Sequence, residues 1–84
     1  MKTSNIRKVL GANVKYYRHL IGFTQEQLAE KCNLSPRYIS NIENSNGNVS
    51  IDTLENIAKF LKVESYLLIK PQKHPVLPKR VNMK

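Results

Sequence analysis

Two side chains four residues apart, Arg37 and Asn41, carry the most suggestive chemistry in this sequence. On a helix that spacing puts them on one side. A guanidinium presents a planar fork of donors that pairs with O6 and N7 of guanine, and a carboxamide matches N6 and N7 of adenine. One helix face could therefore read base edges. Tyr38, beside Arg37, either packs across its helix or offers its hydroxyl to a phosphate. Other chemistries lack their partners. His19 and His74 have no second cysteine or spaced histidine to make a metal site. Cys32, the single cysteine, falls at an inward helical position and reads as a small core residue, with no internal disulfide possible. No Ser–His–acid or paired-carboxylate arrangement can be assembled. The expectation is a protein that is not an enzyme and uses no metal, cofactor or small-molecule ligand.

For Arg37 and Asn41 to share a free face, the segment around them must be a helix packed by its other side. The punctuation supports this. Thr24-Gln25-Glu26-Gln27 fits a capping box, with the Thr24 hydroxyl serving the third amide and Gln27 reaching back. The helix it starts turns Leu28, Ala29 and Cys32 inward. Asn33 suits the left-handed end of that helix, and Leu34 follows. Ser35-Pro36 announces the next helix, serine as cap and proline at the first position. That helix buries Ile39 and Ile42. The first helix of such a pair must be small where the second crosses it, and Ala29 meets the need. Upstream, Ile6, Val9, Leu10, Val14, Tyr17, Leu20 and Ile21 recur at helical spacing, with Ser4 as candidate cap and Gly22 as the stop. Phe23 is expected in the core. Downstream, a polar loop over 44–50 uses Gly47 for positive φ. A fourth helix capped by Ser50 has the stripe Ile51, Leu54, Ile57, Ala58 and Leu61, and a short fifth helix spans about 64–69. The fold class expected is all-α, five helices in one domain over residues 1–70. Residues 71–84 form a basic tail with three prolines, expected to be mobile or extended.

The chain has 84 residues, 40% hydrophobic and 24% charged, the composition of an ordinary globular domain. Its longest apolar run, Tyr66 to Ile69, cannot span a bilayer, and no secretion signal opens the chain, so a cytoplasmic protein without a membrane partner is expected. The net charge of +8 is uneven. Residues 1–41 carry a net +5, residues 42–69 a net −2, and residues 70–84 a net +5. A basic front half suits a polyanion, while the acidic stretch leaves a separate face for other work. The basic tail is either a solvated terminus or an arm lying along a nucleic-acid backbone.

Several spaced positions together resemble the Cro/C1-type helix-turn-helix family, which includes phage repressors, xenobiotic-response-element regulators and restriction–modification controller proteins. They are Arg18, Thr24-Gln25-Glu26-Gln27-Leu28-Ala29, Leu34-Ser35, Tyr38-Ile39-Ser40-Asn41-Ile42-Glu43 and Ile57-Ala58 through Leu61. The stretch from Arg37 to Glu43, followed by Asn48-Val49-Ser50-Ile51, is most similar to the controller proteins. The resemblance implies a five-helix lambda-repressor-like fold and a double-stranded DNA partner. It further implies base contacts from Pro36, Arg37 and Asn41, and phosphate contacts from Gln25, Asn44 and Asn48. Thr24, Ser40 and Tyr38 join the expected phosphate set. Arg18 and Glu43 match a partly buried ion pair tying the first helix to the end of the third. Two departures stand out. Pro36 has no donor and is reduced to apolar contact, for instance with a thymine methyl, and Gly47 replaces an often basic loop residue.

Tyr66, Leu67 and Ile69 exceed what one short helix needs for its own core, so a homodimer built on the fifth helix and the end of the fourth is expected. A two-fold dimer would present two such helices one DNA turn apart to a near-palindromic operator, as a repressor or activator. Two rival readings fit the same residues. One is an antitoxin-like protein-interaction module with secondary DNA binding, and the other is a nucleic-acid binder acting through charge alone.

Overall fold

The computed structural model describes residues 5–74. Within them lie five helices: α1 (Asn5–Ile21), α2 (Gln25–Cys32), α3 (Pro36–Glu43), α4 (Ile51–Leu61) and α5 (Ser65–Ile69). No strand occurs among the described residues, and no helix is long and apolar enough to cross a membrane. Ser4 and the tail from residue 75 onward lie outside the described residues.

The local rules of the α2–α3 unit are all realised. The Thr24 hydroxyl accepts from the Gln27 amide at 3.0 Å while the Gln27 side chain accepts from the Thr24 amide at 2.8 Å. Asn33 takes the left-handed conformation (φ 59°), which lets the Leu34 amide turn back to the Ala29 carbonyl at 2.8 Å. Ser35 caps α3 by accepting from the Tyr38 amide, with Pro36 at its start. The α4 helix ends by the same device as α2: Lys62 is left-handed (φ 63°) and the Val63 amide reaches the Ala58 carbonyl.

The core joins Leu10 and Val14 of α1, Leu28, Ala29 and Cys32 of α2, Ile39 and Ile42 of α3, Ile57, Ala58 and Leu61 of α4, and Leu68 of α5. Phe23 and Leu34 pack against it half-buried. Three expected stripe residues stay in solvent instead. Ile6 and Leu20 are exposed near the two ends of α1, a 17-residue helix longer than the 8-residue α3 and 5-residue α5 that cover it. Ile51, in the first turn of α4, is also exposed, whereas Leu61 at the end of α4 is buried. Beside α5 the start of α4 therefore adds the exposed Ile51, while at the end of α4 Leu61 is buried and Phe60 half-buried.

Gly47 also differs from expectation. The left-handed residue of the 44–50 loop is Ser45 (φ 69°), and Gly47 does not have positive φ. Glycine is needed there for space: a Cβ would fall 2.7 Å from Cγ1 of Ile42 and 3.1 Å from its Cα.

A buried polar residue unnoticed in the sequence fastens the chain beyond α5. Asn13 donates both amide protons, to the Leu68 and Lys70 carbonyls at 3.0 Å each, so its oxygen must accept from Nε2 of His74 at 2.6 Å. The His74 ring stacks on Tyr16 with centroids 3.8 Å apart. Gln72 accepts from the Tyr17 hydroxyl and donates to the Leu67 carbonyl. Residues 71–74, the expected start of the tail, are thus held against α1.

Candidate nucleic-acid interface

The two faces of α3 divide cleanly. Ile39 and Ile42 are almost fully buried, 0% and 1% exposed, while Pro36, Arg37 and Asn41 are exposed. Asn44 and Asn48 are exposed in the following loop, and Thr24, Gln25, Tyr38 and Ser40 are half-buried. The α3 outer face, its N-terminal end and the 44–50 loop form one polar surface. Among the described residues no group of three or more His, Cys, Asp or Glu could hold a metal ion.

Behind this surface lies a charged hub. Arg18 donates from Nε to one oxygen of Glu43 at 2.6 Å and from a terminal nitrogen to the other at 3.0 Å, a two-point pairing. Its remaining nitrogen donates to the Phe23 carbonyl at 2.8 Å. Gln25 donates to the same carboxylate at 3.0 Å. The side chains of Arg18 and Glu43 are 7% and 3% exposed. One ion pair therefore binds α1, the α1–α2 turn, α2 and the end of α3. The sequence held no spacing signal for the parts played by Phe23 and Gln25, since the Gln25–Glu43 bond joins residues 18 apart through space.

Besides backbone bonds to α3, two hydrogen bonds from side chains hold the loop at Asn48. The Tyr38 hydroxyl donates to the Asn48 carbonyl, and Arg7 of α1 donates to the Asn48 side-chain oxygen. The only proton of the Tyr38 hydroxyl is committed in this conformation, which leaves none for a phosphate. In this conformation Tyr38 braces the loop. Gln25 keeps a second amide proton after serving Glu43, and the Thr24 hydroxyl, which accepts from Gln27, keeps its own.

Burial pushes the Cys32 thiol up, consistent with an inert core residue. His19, at the edge of the hub, is lowered by burial first and by the adjacent Arg18 charge second. The geometry agrees: Arg18 has only donors, so the His19 Nε2 facing it at 3.1 Å accepts and is unprotonated. A lowered folded-state value means the unfolded chain takes up the proton first as pH falls through the ordinary value of 6.5. The stability contributed by neutral His19 is complete above that value and declines below it. Urea midpoints should accordingly fall between about pH 7.5 and about pH 5.5, and the fall should shrink in His19→Asn. An equal fall in the variant would remove His19 from the account.

Comparisons with known proteins agree with this geometry. The helix-turn-helix family profile matches residues 14–68. A control protein, C.BamHI of Bacillus amyloliquefaciens, is 43% identical over 63 residues, covering 74% of this chain and 78% of that protein. A hypothetical transcription factor of Neisseria meningitidis is 36% identical over 67 residues, covering 80% of this chain but 63% of that longer protein. Among solved structures, the chain is similar to the master regulator for biofilm formation SinR in complex with DNA, with a TM-score of 0.68 at 35% identity, covering 73% of this chain and 98% of that one.

Proposed function

The chain belongs to the Cro/C1-type helix-turn-helix family of DNA-binding transcription regulators, and from that premise we propose that it acts in the cytoplasm as a homodimer on a near-palindromic operator, in the manner of a restriction–modification controller. Helix α3 enters the major groove. Arg37 pairs with a guanine, Asn41 with an adenine, and Pro36 rests against a thymine methyl. Thr24, Gln25, Ser40, Asn44 and Asn48 hold the flanking phosphates, which set register without carrying sequence. Tyr66, Leu67 and Ile69 of α5 meet their counterparts across the two-fold axis, joined by Ile51 from the start of α4. Its role is binding, with no reaction, cofactor or small-molecule effector.

The observation that supports this most directly is the division of α3. Its apolar side is spent on the core, and Arg37 and Asn41 are exposed, their side chains making no hydrogen bond among the described residues.

Selection of bound sequences from a random duplex pool tests the reading. Against the enriched duplex, Arg37→Ala should lose about 1–3 kcal/mol of affinity, and against random duplex at the same salt it should lose far less. Fluorescence anisotropy titrations report both. An equal loss on the two would mean that Arg37 acts as a charge alone.

A further inference from the structure

We propose that Arg7 and Asn48 together form a clamp for one backbone phosphate of the bound duplex, a contact resting on the DNA-binding reading above. The two residues are 41 apart in sequence and on different elements, α1 and the loop before α4. Three observations point to an anion held by the remaining donors of the pair. The first is the direction of the Asn48 carboxamide. Its oxygen accepts from Arg7, so its amide nitrogen, which has no partner among the described residues, is the donor left over on an exposed side chain. A carboxamide free to flip would present donor and acceptor alike, whereas this one is set to serve an acceptor. The second is a tether on its backbone, whose carbonyl receives the Tyr38 hydroxyl. The third is charge. Arg7 and Asn48 line one groove of about 580 Å³ whose other walls are largely apolar and run to Ile51 and Ile69 of the proposed subunit contact, and Arg7 is the sole charged side chain among its described lining residues. No carboxylate there compensates the guanidinium. The Asn48 bond uses one donor of the Arg7 fork and leaves others for a phosphate oxygen.

Arg7→Gln, Asn48→Ala and the double variant are titrated against the duplex enriched by the wild-type protein, over a series of potassium chloride concentrations. Melting temperatures and sedimentation equilibrium of each variant are measured alongside. Arg7→Gln is expected to weaken binding about tenfold and to reduce the slope of log affinity against log salt by about 0.9, the signature of one lost phosphate contact. The double variant should lose less than the product of the two single losses, because either change breaks the clamp. An unchanged slope in Arg7→Gln overturns the proposal, as do strictly multiplicative losses. So does a weakening accounted for by a shifted monomer–dimer equilibrium at unchanged slope, which would assign Arg7 to the subunit contact. A wild-type protein that enriches no duplex and binds none defeats the DNA-binding reading as well, an outcome distinct from wild-type binding that is indifferent to Arg7.

Discussion

Glu43→Ala should destabilise the domain by about 3–5 kcal/mol, a large part of the roughly 5–15 kcal/mol that holds a typical domain together. The removed carboxylate receives Arg18 at both oxygens and Gln25 at one, and the pair is almost wholly out of water. The loss comes less from forgone attraction than from what stays behind, a buried guanidinium whose Nε has no acceptor. At about 4–8 °C per kcal/mol for a chain of this length, the melting temperature should fall by at least about 12 °C. Arg18→Met should cost a similar amount by stranding the carboxylate. The double change Arg18→Met with Glu43→Leu should recover much of the loss, because no unpaired charge remains and the two apolar groups can meet. Thermal denaturation of the four proteins at one pH and salt completes the cycle. A loss below about 1 kcal/mol in both single variants would place the pair with exposed ion pairs. The hub also joins both helices of the DNA-binding unit, so Glu43→Ala should weaken operator binding beyond its effect on stability.

What could be read from the sequence depended on how far apart the interacting residues lie. The α2–α3 unit obeys rules that act within a few residues. Thr24 and Gln27 close a capping box, Asn33 takes the left-handed turn, and Ser35-Pro36 starts a helix whatever surrounds it. Apolar spacing found the inner face of α3 for the same reason, since a helix turns at a known rate. Contacts between distant residues left no such trace. Arg18 and Glu43 were paired by family resemblance and not by spacing. Asn13 looks in sequence like any polar residue on a helix. Its partners are supplied by a segment 55 to 61 residues away. Ile51 continues an apolar stripe by arithmetic, yet among the described residues no element covers it, so it stays exposed. The Arg7–Asn48 bond is illegible in the same way, because it depends on where the α3–α4 loop settles against α1. Gly47 shows a further limit. A glycine in a loop suggests positive φ, but close approach to another residue demands glycine equally well, and only coordinates separate the two demands.

That distinction reverses the sign of an expected result at Gly11. The residue lies within α1, where replacing glycine by alanine ordinarily gains about 1 kcal/mol in helix propensity. Judged by sequence, Gly11→Ala stabilises. In the fold, a Cβ at this position would lie 2.5 Å from the Ile42 carbonyl oxygen and 3.0 Å from that of Glu43. Both obstacles are backbone, so no rotamer change relieves the clash, and α1 must draw away from the end of α3. That movement would loosen the packing around Ile42 and lengthen the Arg18–Glu43 bonds that span the same two helices. Overpacking of this kind costs about 1–3 kcal/mol and occasionally more. Because the obstacle cannot rotate away and the hub is strained with it, the cost should lie at the upper end, about 3 kcal/mol, leaving a net loss of about 2 kcal/mol after the helical gain is subtracted. Gly11→Ser should be no milder, since it brings the same Cβ. Far-ultraviolet circular dichroism should show helix content preserved while the melting temperature falls. Affinity for the selected duplex should fall as well, because the clash displaces the helix that carries Arg37 and Asn41. A Gly11→Ala protein that melts higher than the wild type would show that α1 and α3 do not approach this closely, and would loosen the geometric basis for the whole α3 surface.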